Sequence, residues 1–262
     1  MKPIRLHLDG IAFWAPGIDS WAALCGMLSG GAYMPSDNWQ VMPHSLSRRS
    51  ALRVSPQIRL AVAMAEQIAP LLHHNAAWVF ASSAGEGETL QVMLEALRKP
   101  DMMIQPVRFQ NAVHNAASGQ WSIAAGITQP MSSIAAYDHT VGAGFLKAGS
   151  QVAIERRPVG LVFYDVPLPE PLNAKRPLGI PLGAGLALSP DPGSTTKAVI
   201  DVELSDAPVT IPQSDVSLAL AAAGNPVADI LPLMERIAHG TMGETVIGLH
   251  GGGALCLRVS PT

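Results

Sequence analysis

Short apolar runs separated by helix-forming sequence constrain the fold of this 262-residue chain more than any other feature. Three of them occupy residues 77–82 and 132–136 and the segment that begins at Val159. Their apolar residues are continuous rather than alternating, as is typical of strands buried on both faces. Such strands separated by helices predict an α/β fold with a mostly parallel sheet covered by helices.

Further β-rich runs occupy the second half of the chain. Residues 183–188 and 198–204 flank a turn at Pro190–Gly193, so we expect them to form an antiparallel hairpin. A helical segment and a terminal β-run over residues 245–259 follow. These runs predict antiparallel strands added at the C-terminal end of the sheet.

The length of the chain predicts its domain organisation. A chain of 262 residues can bury a substantial core. We expect one domain over residues 1–262, with a core over 3–205. In this interpretation residues 206–262 add the helical segment and the terminal β-run.

The composition indicates that a partner covers part of the surface. Charged residues make up only 14% of the chain and apolar residues 48%. Charged residues are depleted in the cores of protein interfaces, so this balance favours an oligomer. The net charge of -3 argues against a nucleic-acid-binding protein.

The sequence carries no pattern of a membrane, metal or cofactor site. The N-terminus lacks the apolar core of a signal peptide, and residues 109–137, although uncharged, are too polar to span a membrane. We therefore expect a cytoplasmic protein. Phosphate-loop, metalloprotease and paired Cys/His motifs are absent from the sequence, so we expect no cofactor and no metal.

The region from residue 106 to 171 has a distinctive order of motifs. An Asn/Ala-rich helix, VHNAASG, precedes Ser-Ile-Ala-Ala-Gly, a buried strand, a sharp turn at Ala135-Ala136-Tyr137, a helix and another strand. This order resembles the nucleophile region of β-ketoacyl synthases, in which the turn carries Thr-Ala-Cys. The resemblance covers residues 3 to about 205 and implies the N-terminal half of the thiolase-like fold.

Finer motifs resemble one group within this family. The segments VHNAASGQWSIAAG, SIAAYD and NPVADILPLMERIAHG are similar to the short ketosynthase-like proteins of bacterial aryl-polyene clusters, which resemble chain-length factors. The resemblance implies a non-catalytic subunit that pairs with a full-length ketosynthase and shapes its acyl tunnel. In such pairs the edge strands of the two subunits form one continuous sheet, and an acyl carrier protein is a further expected partner.

The chain lacks the nucleophile that the resemblance calls for. A Claisen condensation on a thioester needs a thiolate, whereas a tyrosine phenol has a pKa near 10. The sequence places Tyr137 at the turn, and no cysteine lies between residues 26 and 255. We expect Tyr137 to fill the vestigial pocket and to hydrogen-bond its hydroxyl group. The alternative is an independent decarboxylase or hydrolase that uses Tyr137, Asp138 or His139.

The family also needs two histidines from the second half of its fold. The late histidines of this chain, His239 and His250, lie in no sequence similar to the family's histidine motifs. Both halves of the ketosynthase chemistry are therefore expected to be missing. The tetrapeptide His250-Gly-Gly-Gly is interpreted as a turn between strands.

Two sets of residues are predicted to contact partners. In chain-length factors the residues that close the acyl tunnel lie on the helix after the Ser-x-Ala-Gly turn, which corresponds here to Gly87, Leu90 and Leu94. Their spacing of i, i+3 and i+7 places them on one helical face, and the glycine implies a wider or longer tunnel. As an alternative role, a basic segment could dock an acidic acyl carrier protein; its arginines are Arg48, Arg49 and Arg53.

Overall fold

The computed structural model describes residues 2–36, 39–101, 103–104, 106–210 and 216–260. The strands in this part of the chain are β1 (Ile4–Trp14), β2 (Ala77–Ala81), β3 (Met131–Ile134), β4 (Val159–Asp165), β5 (Leu182–Ser189), β6 (Ala198–Ser205), β7 (Gly243–Gly248) and β8 (Ala254–Ser260). The helices are α1 (Trp21–Leu28), α2 (Arg48–Ala51), α3 (Pro56–Ile68), α4 (Gly87–Leu97), α5 (Pro106–Asn111), α6 (Ala116–Ala125), α7 (Thr140–Glu155), α8 (Leu172–Lys175), α9 (Val216–Ala221) and α10 (Leu231–Ala238). Short 3₁₀ turns occupy Ala69–Leu71, Tyr137–His139 and Pro226–Ile230.

All eight strands form one mixed sheet in the order β3-β2-β4-β5-β1-β6-β8-β7. The predicted α/β class is confirmed. Strand β2 pairs in parallel with β3 and β4, whereas the other pairings of the described strands are antiparallel. The predicted predominance of parallel pairing is therefore wrong, because the long first strand lies inside the sheet and pairs antiparallel on both sides, which the local sequence does not show.

The predicted hairpin between residues 183–188 and 198–204 is also wrong. Strands β5 and β6 do form, but β1 lies between them and pairs antiparallel with both. Strand β1 has eleven residues, of which His7–Trp14 face β5 and Ile4–Leu8 face β6. A turn signal between two strands shows that the chain reverses, but not that the two strands are neighbours.

Helices α3 and α7 cover opposite faces of the sheet. Pro56 occupies the start of α3, and Ser55 caps it by accepting a hydrogen bond from the Ile58 amide at 3.1 Å. The side chains of β2 alternate between the two cores: Trp78 packs with α3, and Val79 packs with α7. The sheet is thus buried on both sides, as its continuous apolar runs predict.

Glycines allow α7 to lie against two parts of the curved sheet. A Cβ atom on Gly144 would collide with Phe163 of β4, and one on Gly142 would collide with the carbonyl oxygen of Gly248 at the end of β7. Helix α7 therefore contacts both the centre of the sheet and its β7 end. This close packing fixes the start of α7, where the candidate site lies.

Candidate functional site

The turn between β3 and α7 is sharp and strained. Tyr137 has a φ of 54°, in the left-handed region that side chains other than glycine rarely adopt. The buried Thr140 holds this turn: its Oγ1 accepts a hydrogen bond from the Ala136 amide at 3.1 Å and donates one to the Tyr137 carbonyl at 2.6 Å. The structure thus contains the strand, sharp turn and helix that the sequence predicts at residues 132–154. Backbone strain of this kind is concentrated at functional sites.

The strand that leads into this turn is not central. Residues 132–136 were expected to form a buried central strand, but β3 is the outer strand of the sheet and its residues are only partly buried. That expectation is wrong, because a parallel partner on one side and a helix over the strand suffice to produce an apolar run.

Tyr137 does not fill a pocket. Its side chain is 57% exposed, which contradicts the buried, hydrogen-bonded tyrosine expected from the sequence. The guanidinium carbon of Arg176 lies 3.7 Å from the centre of the Tyr137 ring, and Arg176 also forms a 2.9 Å ion pair with Asp138. The cation–π contact and the ion pair together hold the ring at the surface.

Two further groups approach the turn from distant parts of the chain. The rings of His139 and His250 lie 6.3 Å apart, with His250 in the turn between β7 and β8. Burial and the nearby Asp138 raise the pKa of Asp229 to about 6. The sequence did not predict either approach, since His250 reaches the turn through the β7–β8 connection and Asp229 through the 3₁₀ turn Pro226–Ile230.

Among the described residues, the polar groups around the turn are engaged mainly with one another. The Tyr137 ring faces a guanidinium group rather than a base, and Asp138 is engaged by the same arginine. Within the described residues no group of three or more His, Cys, Asp or Glu side chains could hold a metal ion. The arrangement stabilises the turn and presents an aromatic ring at the surface.

The predicted tunnel residues separate into two environments. Leu90 and Leu94 are 49% and 45% exposed on the outer side of α4. Gly87 is buried instead, and a Cβ atom there would collide with Leu168 of the same chain. Side-chain volume added at Gly87 would first displace the segment around Leu168, so Gly87 and the two leucines do not share one open surface.

Large apolar side chains are exposed on the helices that precede β3. Ile123 of α6 is 77% exposed and Phe109 of α5 is 65% exposed, and Leu97 of α4 is half exposed. Helix α6 packs against β2 and β3, and α5 packs against α4. Since most isolated surfaces avoid such concentrations of apolar groups, this side of the molecule is suited to a protein partner.

A buried polar network lies beneath the start of α4. The fully buried Asp165 accepts a hydrogen bond from Ser82 Oγ at 2.8 Å, and Gln57 donates to the same Ser82 oxygen at 2.7 Å. Burial raises the pKa of Asp165 above its ordinary value and raises the pKa of Glu86 to about 7. Asp165 thereby links the ends of β2 and β4, whereas Glu86 lies at the start of α4 and lines a cavity of about 270 Å³.

The arginines predicted to dock a carrier protein lie at the surface. Arg48 and Arg49 belong to α2, Arg53 follows it, and all three are exposed.

In the part of the chain that the structure describes, no helix is both long enough and apolar enough to span a membrane.

The family model described as "Beta-ketoacyl synthase, N-terminal domain" matches residues 27–229. Sequence comparison with curated proteins detects no relative.

Similar solved structures include one chain of the complex of the ketosynthase ApeO with its chain length factor ApeC from Xenorhabdus doucetiae. The two chains are 20% identical, with a TM-score of 0.73 and coverage of 97% of this chain and 98% of that one. A second is a chain of AntDE:AntF, a type II acyl-carrier protein in complex with its ketosynthase, with 11% identity, a TM-score of 0.73 and complete coverage of both chains. At these identities the likeness establishes the fold.

A third similar structure is a longer protein, the ketosynthase of module 1 of the bacillaene synthase from Bacillus amyloliquefaciens FZB42. It is 12% identical with a TM-score of 0.55, and the match covers 80% of this chain but only 47% of the ketosynthase. The thiolase-like fold of a ketosynthase N-terminal domain is therefore shared by short and long chains.

Proposed function

Because this chain belongs to the β-ketoacyl synthase N-terminal domain family, we propose that it is a chain-length-factor-like subunit without catalysis of its own. It pairs with a full-length β-ketoacyl synthase and shapes the acyl tunnel of that enzyme in polyketide or fatty-acid-like synthesis. The aryl-polyene group is the closest fit to its motifs. The relatives named as ketosynthase and chain-length-factor complexes support this assignment.

The observation that carries the proposal is the open edge of the sheet at β3. In a parallel ladder alternate residues of a strand face the neighbouring strand. The carbonyls of Pro130 and Ile134 accept hydrogen bonds from β2 and its continuation, so the backbone groups of Met131 and Ser133 face away from it. Since an unpaired edge is a template for another strand, β3 is suited to pair with a second subunit.

The absence of a thiolate supports a role without catalysis. Tyr137 stands at the strained turn, and the sequence contains no cysteine between residues 26 and 255. The Tyr137 ring lies against the guanidinium group of Arg176, which cannot act as the base that would activate its hydroxyl group. The partner enzyme supplies the cysteine and both histidines.

Leu90 and Leu94 are the residues of α4 that face the partner's tunnel in this proposal. They share the exposed side of the helix, whereas Gly87 is covered by Leu168. Replacing Leu94 with Phe should therefore shorten the product of the reconstituted pair, because a larger side chain takes space from the growing acyl chain. Gly87→Phe is a poor test, since it would first disturb this chain's own packing.

Co-expression with a full-length ketosynthase from the same organism tests the proposal. The two proteins should copurify as a heterodimer, and product length should change in the Leu94→Phe pair at unchanged complex stability.

Separately, intact-mass analysis of the chain alone with malonyl and acetyl thioesters should show no acyl-enzyme. Stoichiometric acylation of Tyr137, Asp138 or His139 would instead support the independent decarboxylase or hydrolase.

Carrier-protein docking by this subunit remains part of the proposal. The exposed Arg48, Arg49 and Arg53 form a basic surface, and acyl carrier proteins are acidic. Replacing all three with Gln should weaken binding of a carrier protein to the heterodimer, and raising the salt concentration should have the same effect. Equal binding by the variant would assign docking to the ketosynthase alone.

A further inference from the structure

A cavity of about 430 Å³ lies beside the basic surface and shares Arg53 with it, whereas Arg48 and Arg49 do not line the cavity. Its walls come from the segment after α2, the start of α3, the first turn of α4 and α5. Three arginines from three of these segments line it, namely Arg53, Arg59 and Arg108. We name this space the arginine cavity. Arginines that converge from separate segments are a typical arrangement for recognising an anion.

The described part of the chain forms no ion pair with the three arginines. The only acidic residue that lines the arginine cavity is Glu88, and its side chain is exposed to solvent. Like charges gathered around one space repel each other, so a bound anion would relieve a repulsion that the protein itself leaves in place.

Arg59 is held in place with one donor left over. Its Nη1 donates a hydrogen bond to the Ala51 carbonyl at 3.2 Å, which fixes the side chain. Its Nε is buried and has no hydrogen-bond partner in the structure. A buried guanidinium N–H without an acceptor is costly, and because this atom is closed to solvent, an anion would contact the part of Arg59 that lines the cavity.

The start of α3 adds to the positive potential. Ser55 and Pro56, the N-cap and first residue of this thirteen-residue helix, also line the arginine cavity. The amino end of a helix carries a partial positive charge that favours anions, phosphate groups among them. Fixed guanidinium groups and a helix terminus together suit a group with several acceptor oxygens and more than one negative charge.

A second cavity, of about 270 Å³, shares Ser55, Pro56 and Glu88 with the arginine cavity. The remainder of its lining is mostly apolar, with Trp39 and the segment Val166–Pro169. A ligand whose charged group lies among the arginines could therefore extend an apolar chain into the neighbouring space. Apolar walls with a few placed polar groups are usual for small-molecule sites.

We propose that the two cavities together form a binding site for a phosphomonoester that carries a short apolar chain. The phosphate is bound by Arg53, Arg59 and Arg108, and the chain lies against Trp39 and Leu168. The site does not depend on the ketosynthase partnership, because all of these residues belong to this chain and none lies on β3.

Isothermal titration of the full-length chain alone tests the site, with inorganic phosphate, hexyl phosphate and hexanoate as probes. Hexyl phosphate should bind most tightly, inorganic phosphate more weakly because it lacks the apolar chain, and hexanoate more weakly because it has a single charge. Arg59→Gln and Arg108→Gln should each weaken the binding of hexyl phosphate roughly tenfold or more, since each removes a charge-assisted hydrogen bond. The matched control is Arg98→Gln at the exposed end of α4, outside both cavities, which should bind as the wild type does.

Three results would overturn the proposal. They are no heat of binding with hexyl phosphate, equal affinity for hexyl phosphate and hexanoate, or an equal loss of affinity in Arg98→Gln. Thermal unfolding of each variant checks that it is folded. If Arg59→Gln unfolds because its bond to Ala51 is lost, Arg108→Gln decides the question. Failure of any of these tests leaves the heterodimer proposal untouched, since no partner protein is present.

Discussion

The two outer strands of the sheet differ in how their edges are covered. The edge of β7 is covered at its middle: the Thr210 amide donates to the Val246 carbonyl and the Val246 amide donates to Thr210 Oγ1, both at 2.8 Å. The end of β7 is also pressed against α7 through Gly142 and Gly248. Strand β3 has β2 on one side and, within the described part of the chain, no strand on the other.

This difference indicates which side of the molecule meets a partner. Proteins usually protect the exposed edges of their sheets, and this chain does so at β7 but not at β3. Ile123 is exposed on α6, which packs against β3, and Phe109 is exposed on α5, the preceding helix in the chain. The β7 side therefore completes the fold of the chain itself, and the β3 side is left for another subunit.

The largest expected effect concerns the β7 side. Gly142→Ala should lower the free energy of unfolding by about 3 kcal/mol, because the added methyl group meets the backbone oxygen of Gly248, which cannot rotate away. Chemical denaturation of the isolated chain measures this change. An unchanged midpoint would mean that α7 and β7 are not in close contact.

The next effect separates the two sides directly. Ile123→Asp should weaken the complex with the ketosynthase by at least about tenfold, since it places a charge in the apolar interface. Met242→Asp makes the same kind of change at a similarly exposed residue just before β7. Surface plasmon resonance should find this control unchanged, and equal losses in the two variants would show that the open edge is not the interface.

A third prediction uses pH. The folded-state pKa of Glu86, about 7, lies above its ordinary value of 4.5, so the folded chain binds more protons between these values. The resulting stability is present below pH 4.5 and is lost as the pH rises through 7, by about 3 kcal/mol in total. Glu86→Gln should flatten this dependence in denaturation measured from pH 5 to 7.5, and the exposed Glu88→Gln should not.

The smallest expected effect lies on the β3 side. A Cβ atom on Gly119 of α6 meets nothing within 4 Å, so Gly119→Ala should raise the free energy of unfolding by about 0.5 to 1 kcal/mol through helix propensity. The same substitution thus has opposite signs at Gly119 and Gly142. Destabilisation at both positions would contradict the open surface around α6.

The sequence predicts the local features of this fold better than it predicts which strands lie next to each other in the sheet. The Ser55-Pro56 start of α3 and the sharp turn before α7 can be read from a few adjacent residues. The position of β1 between β5 and β6 cannot, because it depends on pairings between residues far apart in the chain. The predicted hairpin between residues 183–188 and 198–204 is wrong for that reason.

The sequence also fails to predict the contacts that distant segments make with the candidate site. The sequence places Tyr137 at the turn but does not show that Arg176, from the segment after α8, holds its ring at the surface. It predicts one helical face for Gly87 and Leu94 but not that Leu168 covers only the glycine. In both cases the missing information is a contact with a distant loop, for which the local pattern contains no signal.

Hydrogen exchange of the backbone amides, measured for the chain alone and with the full-length ketosynthase, tests the central claim most directly. Our account predicts that the outward-facing Ser133 amide of β3 exchanges at least about tenfold more slowly in the complex, because it gains a hydrogen bond to the partner's strand. The Val246 amide, already bonded to Thr210, should exchange at the same rate in both samples. Unchanged exchange at Ser133 in a stable complex, or new protection confined to β7, would contradict the account.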